Sequence, residues 1–154
     1  FDTHTTGMLA IVLNAGSIIG SLGFGFLAER IGRRRNLALG CLLVLPVIPL
    51  WVYSGTLLPL ALGAFLMGVA VQGAWGNIPA YLNELSPPAV RAMFPGLVYQ
   101  LGNLIASRVS PFQAGIAAGR GGDYAYALAS VTLVTAIAII AWIGFGPERR
   151  EELE

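Results

Sequence analysis

The sequence predicts an all-α fold, a polytopic transmembrane bundle of about five helices. Hydrophobic residues make up 56% of the chain and charged residues only 11%, against about 25% charged residues in an ordinary soluble domain. In addition, no Asp, Glu, Arg, Lys or His occurs between Asn36 and Asn83, and a soluble core does not need a charge-free run of that length. Because lipid offers no hydrogen-bonding partner to the backbone, the segments that cross it must be helical.

Five apolar segments are long enough to span a membrane. A hydrocarbon core of about 30 Å requires about 20 apolar residues in each helix. Segments 6–28, 36–53, 57–81, 93–117 and 124–145 meet this requirement, and the short Ser54-Gly55-Thr56 turn separates the second from the third. An odd number of spans places the two ends of the chain on opposite sides of the membrane.

Small residues and prolines predict how these helices pack and bend. Gly16 and Gly20 in the first segment form a small-xxx-small pair, which lets helix backbones approach closely in lipid. Proline removes a backbone donor from a helix and favours a kink. Four prolines lie inside the predicted spans: Pro46, Pro49, Pro79 and Pro111.

Basic residues are concentrated in the loops on one side of the predicted bundle. They are Arg30, Arg33, Arg34, Arg35, Arg91, Arg149 and Arg150. The loops on the other side contain only Arg120. The positive-inside rule therefore predicts that the arginine-rich loops and the C-terminus are cytoplasmic. We expect a multi-pass integral protein of the plasma membrane or of a bacterial inner membrane.

The composition argues against several other classes of function. The net charge of +1 leaves no broad basic surface for nucleic acid. Cys41 is the one cysteine, so neither a disulfide nor a thiolate metal site forms within the chain. The predicted spans contain no paired aspartates, no H-E-x-x-H and no serine elbow with a histidine. We therefore expect no intramembrane enzyme, no metal and no cofactor.

The stretch GFLAERIGRRR, from Gly25 to Arg35, resembles the loop signature of the major facilitator superfamily: a glycine, three residues, an acid, a base, any residue, a glycine and two bases. Glu29 stands where that family usually has aspartate. An acid at the end of one helix can pair with arginines at the start of the next, and Gly32 permits a tight turn between them. A generic positive-inside loop is the alternative interpretation.

A second stretch, QGAWGNIPAYLNELSPPAVRAMFPGLVYQLGN from Gln72 to Asn103, is similar to the tenth and eleventh helices of sialate/proton symporters and fungal lactate permeases. The ending GPERREELE resembles the polar tail after the twelfth helix of such transporters. The resemblance implies that residues 1–154 are a partial C-terminal transmembrane domain, corresponding to helices eight to twelve. It also implies that an N-terminal half and a seventh helix belong to the same polypeptide.

Gln100, Asn103 and Ser107 form the candidate substrate site. Counted from Arg91 at about 1.5 Å per residue, Gln100 and Asn103 lie about 13.5 and 18 Å deep, near mid-membrane. Their spacing places all three side chains on one helix face. The lactate permease resemblance implies that the matching glutamine and asparagine line the substrate site, whereas hydrogen bonding between helices is the alternative. Gln72 in the third segment is a weaker candidate for the same site.

Charged residues at the arginine-rich end form a candidate conformational ion network. Pairs that form in only one conformation would bias the balance between the states of alternating access. Ordinary solvated helix ends are the alternative. The members of the network are Glu29, Arg30, Arg33, Arg34, Glu84, Arg91 and Glu148.

The resemblance implies secondary active transport of a small organic anion, of the monocarboxylate or sialate type, coupled to protons. No carboxylate lies at mid-membrane depth in the chain, so the coupling acid would come from the missing helices. The expected partners are the organic anion, protons, the lipid bilayer and the missing parts of the polypeptide. A sugar or aromatic-acid transporter of the same superfamily and a non-transporting membrane sensor with this fold are the alternatives.

Overall fold

A computed structural model of the chain describes residues 2–145. In this range the structure contains helices joined by turns and no strand, which confirms the all-α fold class. The helices are α1 (Thr3–Ile31), α2 (Arg33–Val52), α3 (Leu57–Leu85), α4 (Phe94–Ala106), α5 (Val109–Ala118) and α6 (Tyr124–Phe145), with a 3-10 helix at Pro88–Val90 between α3 and α4. The predictions for Glu148, Arg149 and Arg150 concern residues outside the described part of the chain.

Within residues 2–145, four helices are long and apolar enough to cross a membrane: α1, α2, α3 and α6. They begin and end within a few residues of the predicted segments. α1 and α3 contain 29 residues each, so each is about 43 Å long. Because this exceeds a hydrocarbon core of about 30 Å, both helices carry their charged ends beyond it.

The predicted fourth span is divided into two helices. α4 ends at Ala106, α5 begins at Val109, and Ser107 and Arg108 form a turn between them. Pro111 favours this break, because it has no N–H to donate to the Ser107 carbonyl and its ring clashes with that carbonyl in a straight helix. α4 and α5 together cover the length of the predicted segment.

The backbones of α1 and α3 are in close contact because glycines lie on both sides of their interface. A methyl group at Gly20 would overlap the backbone of Val69 on α3. Conversely, a methyl group at Gly68 on α3 would lie 3.0 Å from the backbone nitrogen of Ser17 on α1. Gly16 meets the α3 backbone in the same way as Gly20. The predicted small-xxx-small pair is thus part of a helix interface.

The remaining helices are arranged around α2 and α3. α2 packs on α3, α6 packs on α2, α5 contacts α6, and α4 contacts α3. The core of this layer consists of Cys41, Val44, Val47, Ile48, Met67, Ala70, Ala129 and Ala136. No residue of α4 is buried. α4 therefore lies at the edge of the described bundle.

The bundle has two chemically different ends. The basic end comprises the last turns of α1, α3 and α6 and the first turns of α2 and α4. At the opposite end, the Asp2 carboxylate accepts a hydrogen bond from the Thr5 N–H at 3.1 Å, and hydrogen bonding to Thr5 lowers the pKa of Asp2. Asp123 likewise accepts from the Tyr126 N–H at 2.9 Å in the first turn of α6. The Arg120 guanidinium lies 3.7 Å from the centre of the Tyr126 ring.

Candidate substrate cleft and basic helix ends

α4 carries a short polar face in an otherwise apolar helix. Asn103 Nδ2 donates a hydrogen bond to Gln100 Oε1 at 3.3 Å, and both side chains are exposed. This contact uses one donor and one acceptor, so the Gln100 amino group and the Asn103 oxygen have no partner among residues 2–145. Ser107 ends the helix, and its hydroxyl donates to the Leu104 carbonyl at 2.7 Å. The two amides are therefore available to a ligand, while the hydroxyl is engaged by its own helix.

The two amides lie nearer to the start of their helix than the count from Arg91 assumes. α4 begins at Phe94, because a 3-10 helix and a turn occupy the residues before it. Counted from Phe94, Gln100 lies about 9 Å and Asn103 about 13.5 Å along the helix. Gln100 is therefore about 4.5 Å nearer to the basic end than Asn103. Their depth in the membrane stays a prediction.

An aromatic pair connects α4 to α3. Trp75 on α3 and Tyr99 on α4 meet edge to face, with ring centroids 5.7 Å apart and an interplanar angle of 63°. Trp75 is 43% exposed. Edge-to-face geometry is favourable because the positive edge of one ring meets the negative face of the other. The pair therefore defines the level at which the two helices touch.

Ideal helix geometry predicts that Gln72 lies on the same side of this ring pair as the amides of α4. α3 runs toward the basic end and α4 runs away from it, so residues before Trp75 and residues after Tyr99 are displaced in the same direction. At about 1.5 Å per residue, Gln72 is displaced by about 4.5 Å and Asn103 by about 6 Å from the level of the rings. At about 100° per residue, both are also rotated to the same side of the helix contact, by about 60° and 40°. We refer to Gln72, Gln100 and Asn103 together as the candidate amide cleft.

A polar face of α1 lies near the same part of α3. Asn14, Ser17 and Ser21 have the spacing of one helix face. Ser21 is the nearest neighbour of Gly76, where an added methyl group would lie 4.0 Å from its Cβ and hydroxyl oxygen. The hydroxyls of Ser17 and Ser21 donate to carbonyls of their own helix at 3.0 and 2.9 Å. This face was not predicted from the sequence, although its spacing of three and four residues is the signal that identified the face of α4.

At the basic end, Gly32 joins α1 to α2 without a loop. Its φ of 87° lies in the left-handed region, which favours glycine. The Gly32 N–H donates to the Ala28 carbonyl at 3.0 Å, and the Gly32 carbonyl accepts from the Asn36 N–H at 3.1 Å. The expected tight turn is thus confirmed. It directs Arg33 toward α3, where Arg33 Nε and Glu84 Oε1 form an ion pair.

Arg34 connects the start of α2 to the end of α6. Its Nε donates to the Ile143 carbonyl at 2.7 Å, and a terminal nitrogen donates to the Gly144 carbonyl at 3.2 Å. The last carbonyls of a helix have no intrahelical donor and carry partial negative charge, so a guanidinium there is favourable. Two successive arginines therefore attach one helix start to two different helix ends.

The other predicted members of the ion network lie at the same end but apart from this pair. Glu29 and Arg30 are exposed, and the structure shows no ion pair for either within the described residues. An Arg91 nitrogen lies 3.4 Å from the Ser86 carbonyl. Arg33 thus pairs with an acid of α3 and not with Glu29, the acid of the preceding helix.

Comparison with known proteins assigns this arrangement to a family. Residues 2–149 match the family described as sugar (and other) transporter, a range that covers nearly the whole chain. The chain belongs to that family. The chain is therefore part of a multi-pass integral membrane protein of the major facilitator superfamily, as the loop signature indicates.

Relatives of this chain differ in the solutes named in their descriptions. A carboxylic acid transporter protein homolog of Saccharomyces cerevisiae is 35% identical over 114 residues, 71% of this chain and 18% of the relative. A quinate permease of Neurospora africana is 35% identical over 114 residues, 66% of this chain and 21% of the relative. Facilitated glucose transporter member 3 of Mus musculus is 30% identical over 155 residues, 95% of this chain and 30% of the relative. The chain thus spans between 18% and 30% of the length of these relatives. No solved structure matches it.

The chain also contains two buried amides, Asn36 and Asn77, of which Asn36 was missed from the sequence. Asn36 has no exposed surface, and its Nδ2 donates to the Phe24 carbonyl at 3.0 Å, which ties α2 to α1. Asn77 is 3% exposed and donates to the Gly73 carbonyl at 2.9 Å. A polar residue in a charge-free run signals a contact between helices or a pore lining, and only the structure separates the two.

Proposed function

We propose that the transporter moves a small organic anion, of the monocarboxylate or sialate type, by secondary active transport coupled to protons. The observation that carries the proposal is the exposed pair of amides on α4, Gln100 and Asn103, which are joined by a hydrogen bond. Amide N–H groups donate to carboxylate oxygens without placing a fixed positive charge in the membrane. Such a site binds the anion more weakly than an arginine does, so it also releases the anion when the transporter changes conformation.

The charge distribution of the described residues agrees with this role. The acidic side chains of residues 2–145 lie at helix ends, namely Asp2, Glu29, Glu84 and Asp123. None lies in the candidate amide cleft, so no like charge repels an incoming carboxylate. In this proposal the proton-coupling acid belongs to parts of the polypeptide outside the chain.

The basic end supplies the conformational part of the mechanism. We infer that it is cytoplasmic, because its loops carry the arginine excess. The Arg33 to Glu84 ion pair and the Arg34 contact with α6 join three helix ends. A contact of this kind stabilises the conformation in which it is formed. If it is broken in the other conformation, it shifts the alternating-access equilibrium toward the first.

A second candidate is transport of a sugar or a cyclic hydroxy acid. Relatives of similar identity are described as a quinate permease and a facilitated glucose transporter. Amides donate to and accept from hydroxyl groups as well as carboxylates. The carboxylate proposal is supported by the yeast relative described as a carboxylic acid transporter protein homolog.

The test is uptake by the full-length polypeptide that contains this chain. We expect Gln100→Ala and Asn103→Ala to weaken the apparent affinity for lactate or sialate by roughly 2- to 13-fold, because a lost neutral hydrogen bond is worth about 0.5–1.5 kcal/mol. Gln113→Ala, which removes an amide from α5 beyond the break, is the matched control and should leave affinity unchanged.

Two results would decide against the proposal. Uptake of glucose or quinate, but not of lactate or sialate, by the unmodified transporter would favour the second candidate. Acid uptake with unchanged kinetics in both amide variants, at equal surface expression, would show that the amides only pack.

A further inference from the structure

We propose that α2 binds one anionic phospholipid, whose phosphate pairs with Arg35 and whose acyl chain enters an apolar groove between α2 and α3. The groove has a volume of about 270 Å³. Leu43, Pro46 and Leu50 line it from α2, and Leu66 is among the residues that line it from α3. The groove shares no residue with the candidate amide cleft, so this inference does not depend on the proposed solute.

Arg35 is the last of three consecutive arginines at the start of α2, and the other two are engaged within the bundle. Arg33 pairs with Glu84, and Arg34 donates to the last carbonyls of α6. Arg35 is exposed, and it forms no hydrogen bond or ion pair with the described residues. A guanidinium matches a phosphate, to which it donates two parallel hydrogen bonds. Because Arg35 lies in the first turn of a membrane-spanning helix, we expect its charge at the level of the lipid headgroups.

An exposed face of α2 connects this arginine to the groove. Its exposed members, at spacings of seven, four and three residues, are Arg35, Leu42, Pro46 and Pro49. These spacings place them on one side of the helix. At about 1.5 Å per residue, Leu43 lies about 12 Å from Arg35 along α2, whereas half of a hydrocarbon core is about 15 Å. An acyl chain whose phosphate is held at Arg35 therefore reaches the groove within one leaflet.

Charge complementarity identifies the occupant as an anionic lipid. Another helix packed on this face would cover apolar side chains but would leave the Arg35 guanidinium without a counter-charge, and a helix is about 10–12 Å across. An acyl chain is narrower, and it carries its own phosphate to the arginine. The cytoplasmic leaflet contains anionic lipids, and the arginine excess at the basic end places this end there by the positive-inside rule.

The experiment titrates the purified full-length transporter in detergent with phosphatidylglycerol or phosphatidylcholine and counts bound lipids by native mass spectrometry. We expect Arg35→Gln to weaken phosphatidylglycerol binding roughly fivefold, the factor that one arginine contributes beside anionic lipid, and to leave phosphatidylcholine binding unchanged. Leu43→Trp places a bulky ring in the groove and should weaken binding of both lipids. Arg30→Gln is the matched control and should change neither, because Arg30 is equally exposed at the basic end but lies on α1, outside the groove.

Three results would overturn the inference. Equal loss of phosphatidylglycerol binding in Arg35→Gln and Arg30→Gln would show attraction to the general charge of the basic end and not to a site. Unchanged binding of both lipids in Leu43→Trp would show that no acyl chain occupies the groove. Absence of bound lipid on the unmodified full-length transporter would show that another part of the polypeptide covers this face. If Leu43→Trp does not fold, Leu43→Phe provides the same comparison with a smaller expected loss.

Discussion

Replacing Gly20 by alanine tests the α1–α3 interface directly. The new Cβ would lie 2.6 Å from the Val69 Cα and 2.8 Å from the Val69 carbonyl carbon. Carbon atoms in contact are about 3.5–4.0 Å apart, so the helices must separate locally by about 1 Å. Overpacking of this kind costs about 1–3 kcal/mol. The better helix propensity of alanine returns at most about 1 kcal/mol, which offsets only part of that cost.

The assay is thermal unfolding of the purified full-length transporter in detergent. Gly23→Ala is the control, because a Cβ at Gly23 in the same helix meets nothing within 4 Å. Because both variants gain the same helix propensity, we expect Gly20→Ala to unfold roughly 2–12 °C below Gly23→Ala, given about 2–4 °C per kcal/mol for a large domain. Equal unfolding temperatures for the two variants would refute the backbone contact between α1 and α3.

Three further changes test the basic end and the break in the fourth span. With a cysteine introduced at exposed Arg35, Arg33→Glu should increase labelling of the basic end by an impermeant thiol reagent, and adding Glu84→Arg should reverse the increase. The free energy of unfolding should change by only about 0–1 kcal/mol, since the two side chains of the ion pair are 33% and 47% exposed. Gly32→Ala should lower the free energy of unfolding by about 1–3 kcal/mol, measured by thermal unfolding, because the φ of Gly32 is 87°. Gly25→Ala should cause no such loss, because a methyl group at Gly25 meets nothing within 4 Å. Pro111→Ala should slow amide hydrogen exchange around Ser107 by joining α4 to α5, and unchanged exchange would contradict the role given to the proline.

The helices were predictable because their signals are local. The position and length of the apolar segments predict where the spans lie. The predicted boundaries of the last helix, 124–145, coincide with Tyr124–Phe145 in the structure. The spacing of Gly16 and Gly20 predicts close backbone approach, and the structure places it against α3. The division of the fourth span was harder to predict, since Pro46 and Pro49 lie within an uninterrupted α2 while Pro111 follows a break.

In the candidate site, only the contacts within one helix could be predicted from the sequence. The spacing of Gln100 and Asn103 implies a shared face, and the structure joins them by a hydrogen bond. The partner of Arg33 could not be inferred, because Glu84 lies 51 residues away and one sequence contains no signal for so distant a contact. For the same reason, the contact between Trp75 on α3 and Tyr99 on α4 could not be predicted from the sequence.

The glycine interface joins helices that are not neighbours in the chain. α1 packs mainly on α3 and only slightly on α2, which follows it directly. α2 also packs on α3, so α3 is the common surface for the two helices that precede it. A side chain at Gly68 would meet the backbone of Ser17 on α1 and would therefore disturb this shared surface from the side of α1.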